Sequence, residues 1–337
     1  HLRVFPSRRS ASVPERIYRA TRENATRAEL IANGNGIRGA AAGIPFPIPQ
    51  EGMEVIWNHI LHYKGEQNHF INNQAVVING NSNLIKRDRA IYYVYNREGM
   101  TTAELDNTLL YYKYVVTAPA KLAGTALVIQ DPLDQVLTTR RAWRYSPDSR
   151  RVRRLPLLAY DSVQPDTSDL ATADVVDSFN GAPDRYDWTL VGKQEMLVPY
   201  NNNGFIASDA DEAIAEFHLN PEHVRWEKHR VWEVEAQIGE GKRHAVPTRT
   251  YYIDEDSWVI LLMDGYDAEG NLWRTTQVTP FVLPSVPAVL VKTATVFNLQ
   301  AKTMSVIQSL NGERFFVVDT KPETFFTGDA VAADAVR

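Results

Sequence analysis

His59 and His62 stand three residues apart, with Glu54 nearby. On a helix this spacing puts both imidazoles on one face, where two ligands can hold a metal ion. The His-Glu-x-x-His zinc pattern is absent, and His69 supplies a third ligand only if the following loop folds back. Histidines at a helix end serve structure more often than coordination, so no metal is expected. Gly34, Gly36 and Gly39 spell G-x-G-x-x-G. A helix precedes them and a proline-rich segment follows, the reverse of the dinucleotide-binding context, so a helix C-cap running into a loop is expected. Asp264, Asp267, Glu269 and Asn271 fit a hairpin turn between two strands better than a calcium loop. Neither a Gly-x-Ser-x-Gly elbow nor a phosphate-binding Gly-x-x-x-x-Gly-Lys loop occurs. No catalytic residue and no cofactor is expected.

The other chemically loaded segment is basic. Arg140, Arg141, Arg144, Arg150, Arg151, Arg153 and Arg154 crowd into fifteen residues, in a chain of net charge −5. Basic runs with interleaved aromatics are a footprint of nucleic-acid binding. The acidic balance opposes that role. The run also reads as two strands about the turn Ser146-Pro147-Asp148-Ser149. Trp143 and Tyr145 then share one face with Arg141, while Ala142 and Arg144 share the other.

These groups need a framework, and 337 residues with 44% hydrophobic and 23% charged content suffice for a large soluble core. No apolar run approaches the ~18 residues of a membrane span. The chain holds no cysteine, which excludes disulfides, thiolate chemistry and zinc–cysteine sites. It begins at His1 rather than Met, which points to residues upstream, a removed signal peptide being one source. Residues 1–40 read as a basic arm with a surface helix over 15–33, entered at Pro14 and left at Gly34. Alternating prolines extend 40–49. Met53, Ile56, Trp57, Ile60 and Leu61 recur at helical spacing and predict an amphipathic helix over 50–63.

Beyond Gly65 the period changes to two. Strands are expected over 74–79, 90–95, 110–118, 125–130, 139–145, 151–155, 186–199, 229–238, 247–253, 258–266, 272–281, 289–299 and 303–308, interrupted by a capped helical piece from Ser208. Short turns join antiparallel neighbours. The expectation is a mainly β protein: one large antiparallel sheet, a single domain over 41–337, and few helices. Tyr93, Tyr112, Tyr114, Trp143 and Trp232 lie on these strands. Such aromatics line a sheet core or a broad apolar cavity, and both need the same alternation.

Several motifs resemble a known family. Gly43-Ile-Pro-Phe-Pro-Ile-Pro49 with Gly52-Met-Glu-Val-Ile-Trp-Asn-His59 is one. Asn180-Gly-Ala-Pro-Asp-Arg-Tyr-Asp-Trp188 is a second. His229-Arg-Val-Trp-Glu-Val-Glu235 with Asp264-Gly-Tyr-Asp267 is a third. They are similar to the bacterial domain of unknown function 1329, whose members resemble lipoprotein carriers of the LolA/LolB type. The resemblance implies a half-barrel with helices inside or at its mouth, and a periplasmic or outer-membrane-associated carrier of a lipid or other hydrophobic ligand. It also implies an RND-type exporter and an outer-membrane protein as partners, with peripheral membrane contact allowed and no nucleic acid. On that basis Trp57, Ile60, Leu61, Tyr93, Tyr112, Tyr114, Trp143 and Trp232 are candidate ligand contacts. Arg144, Arg150, Arg151, Arg153 and Arg154 are candidates for a headgroup or a partner. The alternatives are an envelope adaptor without a ligand and a hydrolase of a hydrophobic substrate.

Overall fold

The computed structural model describes residues 2–78, 81–155, 161–163, 167, 170–311, 313, 315–316 and 321–335. Its first half contains β1 (Arg3–Phe5), α1 (Glu15–Asn24), β2 (Glu29–Ile31), β3 (Gly36–Arg38), α2 (Gly52–Leu61), β4 (Gln67–Ile78), β5 (Asn81–Tyr93), β6 (Thr108–Ala118), β7 (Ala126–Pro132), β8 (Arg141–Ser146) and β9 (Arg151–Arg154). The second half contains β10 (Tyr186–Pro199), α3 (Asn203–Ala207), α4 (Ala210–Ala213), β11 (Arg225–Ile238), β12 (Thr248–Asp254), β13 (Ile260–Tyr266), β14 (Leu272–Leu283), β15 (Ala288–Asn298), β16 (Thr303–Ser309), β17 (Phe315–Phe316) and α5 (Ala330–Ala335).

Fifteen of these strands form one sheet, curled into a half-barrel. Two antiparallel meanders, β4 to β9 and β10 to β16, are welded where β16 pairs with β4. Turn chemistry accounts for most neighbours, because short connections return the chain antiparallel. The parallel β1 is the exception. It lies along the first residues of β11, where β12 has ended, with Val4 opposite Trp226.

The expected strands are present, and several are longer. β4 and β5 run 12 and 13 residues and stay in register from Gln67 opposite Tyr92 to Ile78 opposite Asn81. The early half of β4 buries Asn68 and Asn72, and the part of β5 paired with it buries Arg87 and Arg89. Polar side chains facing inward hide the period-two signal there. Asn79, the last residue of one expected strand, lies outside the described residues.

Helix α2 occupies the hollow of the half-barrel. Trp57 and Leu61 pack into one apolar cluster with Tyr92, Tyr95 and Leu105, while Val55 and Ile56 pack into another with Tyr251, Ile253 and Ile260. The helix is buried on several sides, with the polar Asn58 and His59 enclosed along with its apolar residues. Its first turn presses on β10: a Cβ on Gly52 would lie 3.0–3.1 Å from the backbone of Trp188, Thr189 and Leu190.

Three expectations are corrected. The helix at 15–33 stops at Asn24, whose buried amide donates to the carbonyl of Ala42 at 2.7 Å and ties the helix end to the proline segment. Residues 29–38 form the β2–β3 hairpin, so Gly34 stands in a hairpin turn instead of a helix C-cap. Ala32 and Asn33 take positive φ to make that turn. The helical piece after Ser208 is a four-residue helix at 210–213, with no side-chain cap.

The sequence reading had no element for the C-terminal segment. Residues 323–335 strap the outer face of β6–β8, burying Phe326 and Val331. The ammonium of Lys113 donates to the carbonyls of Phe325 and Ala330 at 3.2 and 3.0 Å.

Candidate ligand cavity

Between the concave face of β5–β8, helix α2 and strands β15–β16 lies a cavity of about 230 Å³. Strand register builds its main wall as cross-strand rows. Arg89, Tyr114, Leu127 and Arg144 form one row; Ile91, Tyr112 and Ile129 form the next; Tyr93, Leu110 and Asp131 form the third. Alternation explains the pattern, since every second residue of each strand faces inward. Leu290, Val291 and Ile307 line the cavity from β15 and β16, and Val176 and Phe179 from the 173–180 segment.

Ile60, Tyr93, Tyr112, Tyr114 and Arg144, all expected as contacts, line this cavity together. Trp57, Leu61, Trp143 and Trp232 do not. Trp57 donates its indole N–H to the carbonyl of Gly34 at 2.8 Å, on the side of α2 turned to the core, and Leu61 shares that side. Trp143 has the opposite strand parity to Arg144 and packs under the C-terminal strap near Gly328. Trp232 stacks on Trp258 with ring centroids 6.1 Å apart, beneath the ammonium of Lys193. Arg150, Arg151, Arg153 and Arg154 are exposed on the β8–β9 turn and on β9, a sheet edge.

Apart from Arg144, the sequence reading missed the charged lining. Arg87 and Arg89 are buried on the cavity wall, their guanidinium carbons 5.0 Å from the ring centre of Tyr114 and 5.6 Å from that of Tyr112. The spacing Arg87-x-Arg89-x-Ile91-x-Tyr93 carried the signal, because it places two cations on the face that two apolar residues continue. Arg140 is paired with Asp131, its Nη2 donating at 3.0 Å. Lys64 lies 2.5 Å from Asp177.

Beneath Asp177 the two histidines are built into the fold. His59 Nδ1 lies 3.0 Å from the carbonyl of Trp258 and 3.3 Å from the backbone nitrogen of Ile260, and its Nε2 lies 2.9 Å from the carbonyl of Asp177. Both ring nitrogens are engaged, so neither is offered to a metal. Burial pushes the His59 pKa down to about 4, and burial with the nearby Lys64 charge keeps His62 neutral as well. Burial, the largest single influence, would raise the Asp177 pKa, but Lys64 together with His62 and His59 outweighs it and the carboxyl sits at about 2. Burial, then the Asp177 charge, raises the Tyr93 phenol and keeps it protonated.

Among known proteins, a family model described as protein of unknown function, DUF1329, matches residues 1–332. An uncharacterized protein of Pseudomonas aeruginosa, PA3922, is 40% identical over 279 residues, 81% of this chain. The chain spans 61% of that relative's length. A Vibrio parahaemolyticus domain named for outer-membrane lipoprotein sorting superposes with a TM-score of 0.56 at 12% identity, over 83% of this chain and 98% of that one. A DUF1329 protein from Desulfovibrio piger superposes with a TM-score of 0.57 at 13% identity, over 83% and 97%. The match over nearly the whole sequence and the shared half-barrel agree: the chain belongs to the DUF1329 family.

Proposed function

We propose that this protein is a non-enzymatic carrier that holds a lipid or other hydrophobic ligand in the cavity between β5–β8 and α2. The observation that supports it is the wall itself. Ile91, Tyr112, Ile129, Leu110, Leu290 and Ile307 enclose the space from two sides of a half-barrel that already has a separate, filled core. Each methylene moved from water into such a wall contributes about 0.8 kcal/mol, so one alkyl chain binds without many polar contacts. At about 230 Å³ the space lies below the ~300–1,000 Å³ of ordinary ligand pockets and suits a slender chain better than a polycycle.

The carrier reading extends to a periplasmic or outer-membrane-associated setting, with an RND-type exporter and an outer-membrane protein handing the ligand on. In this reading 41–337 is the half-barrel domain, and residues 1–40 are an arm that adds β1 to its sheet. Delipidated protein titrated with a fluorescent fatty acid tests the central point, together with mass spectrometry of lipids that co-purify. Saturable uptake near one chain per protein is expected. No uptake of any alkyl chain overturns the carrier.

A second reading draws on β9, an edge strand whose four residues are all exposed and which carries three arginines. Exposed edges pair with other chains unless charge deters them. As a partner contact this edge would dock an acidic face. Charge reversal at Arg151, Arg153 and Arg154 then reduces recovery of envelope partners; unchanged recovery retires it.

A further inference from the structure

Arg144, Arg150, Arg151, Arg153 and Arg154 are exposed around the β8–β9 turn, and Asp148 is the one carboxylate between Arg141 and Arg154. Arg140, just before them, is paired with Asp131, but among the described residues none of these five forms an ion pair. Strand register sharpens the crowding. Arg144 stands directly opposite Arg153, and Arg151 is two residues along the same face. Such positions lie roughly 5–7 Å apart, inside the Debye length of about 8 Å, so the charges act together. Like charges directly opposite each other destabilise a sheet. Arg150 takes φ of 51°, which glycine adopts at less cost, so the turn carries a cation against local preference. All this uncompensated charge sits in a chain of net charge −5.

The same corner is a rim of the cavity. Arg144 lines the cavity and is exposed, as is Val163. Leu155 also lines it; its N–H continues the strand ladder to the carbonyl of Ala142 at 2.8 Å, and alternation gives it the face of Arg151 and Arg153. Apolar side chains at an opening, bordered by cations, complement a surface with anionic groups outside and hydrocarbon beneath. Resting on the carrier reading, we propose that this rim docks on an anionic lipid bilayer, so that the ligand passes between cavity and membrane without crossing water. Each arginine fork meets phosphate oxygens two at a time, and clustered cations add their attractions to an anionic bilayer. The net negative charge of the whole chain is repelled by that surface, so the contact is oriented, rim first. A lipid surface is favoured over a protein strand because three arginines on a four-residue edge deter strand addition, and because they border an apolar opening.

The test is sedimentation of the full chain with vesicles of phosphatidylcholine alone or with about one-third phosphatidylglycerol. At low ionic strength, binding to the anionic vesicles is expected to be at least tenfold stronger than to the neutral ones. It should fall at least tenfold in about 1 M salt, where the Debye length is roughly 3 Å. R151Q/R153Q should lose at least fivefold, while R19Q/R243Q, which removes two exposed arginines elsewhere, should lose less than twofold. Neither Arg151 nor Arg153 is among the described residues lining the cavity, so both double variants should load a fluorescent fatty acid like wild type. Transfer of that fatty acid from loaded protein to anionic vesicles should be slowed by R151Q/R153Q alone. Equal sedimentation with both vesicle types, or an equal loss in the two double variants, overturns the proposal and leaves the carrier standing. Retention on immobilised polyglutamate without binding to anionic vesicles also overturns it, giving the rim to an acidic protein face. Absence of fatty-acid uptake is a different failure: it removes the carrier reading, and the rim's role in exchange with it.

Discussion

The ammonium of Lys64 lies 2.5 Å from the carboxylate of Asp177, and this contact joins the segment just after the central helix to the 173–180 segment at the cavity wall. Asp177 adopts φ of 57° to present its side chain there. Its pKa of about 2, against 3.8 for the free side chain, means the folded state holds the ionised form more strongly than the unfolded state does. The contribution is complete above pH 3.8 and is lost as pH falls toward 2. It amounts to about 2 kcal/mol at neutral pH, at 1.36 kcal/mol per pH unit. K64M should remove most of it, seen as a lower urea midpoint at pH 7 and a smaller difference from wild type at pH 2.

His59 gives acid sensitivity in a higher window. Its folded pKa is about 4 and its ordinary value 6.5, so between these values the unfolded chain takes up the proton and the folded chain does not. Stability from this group is full above pH 6.5 and declines as pH drops to 4, by about 3 kcal/mol in all. H59Q preserves a hydrogen-bonding side chain without a titrating ring. It is expected to start less stable at pH 7 yet lose less between pH 6.5 and 4, as urea unfolding at closely spaced pH values would show.

The half-barrel was legible because most of its strands obey a period of two between recognisable turns. From β10 to β16 the expected and observed strands nearly coincide, and alternation placed Trp143 and Arg144 on opposite faces, as the register has them. What failed was any inference requiring a partner far along the chain. Trp57 and Ile60 share an amphipathic pattern, yet only the packing of α2 against two separate clusters sends Trp57 to the core and Ile60 to the cavity. Arg87 and Arg89 fell between the strands expected over 74–79 and 90–95, and polarity alone does not say which face of a strand is enclosed. The C-terminal strap carries no period of its own, and its role follows from docking Phe326 and Val331 onto the back of β6–β8.

Asp174 and Arg249 make a second buried contact, at 2.8 Å, with His244 3.3 Å from the same carboxylate oxygen and the Tyr251 hydroxyl 3.1 Å from the guanidinium. Burial opposes ionisation of Asp174, but Arg249 and His244 overcome it and hold the carboxyl far below its usual range. The cluster fastens the 172–180 segment, which carries part of the cavity wall, to β12. Removing one member leaves a buried charge alone, at a cost of about 3–5 kcal/mol. R249M or D174L should each lose that much in denaturant unfolding. The double variant should recover part of the loss, since two apolar residues leave no orphan charge.

Filling the cavity separates ligand binding from folding most cleanly. Leu127 is half-buried, lies on the concave face between Tyr114 and Arg144, and lines the cavity without belonging to the main apolar clusters. A tryptophan there projects into about 230 Å³ of open space, so overpacking strain should stay at the low end of the usual ~1–3 kcal/mol. L127W is expected to fold with a Tm within a few degrees of wild type and to bind a fluorescent fatty acid at least tenfold more weakly. W232A is the contrasting variant. It breaks the stack on Trp258 and lowers stability by about 3 kcal/mol or more, yet leaves uptake by the folded protein unchanged, because Trp232 lies outside the cavity. Undiminished uptake in L127W, or lost uptake in folded W232A, would place the ligand on another surface of the half-barrel.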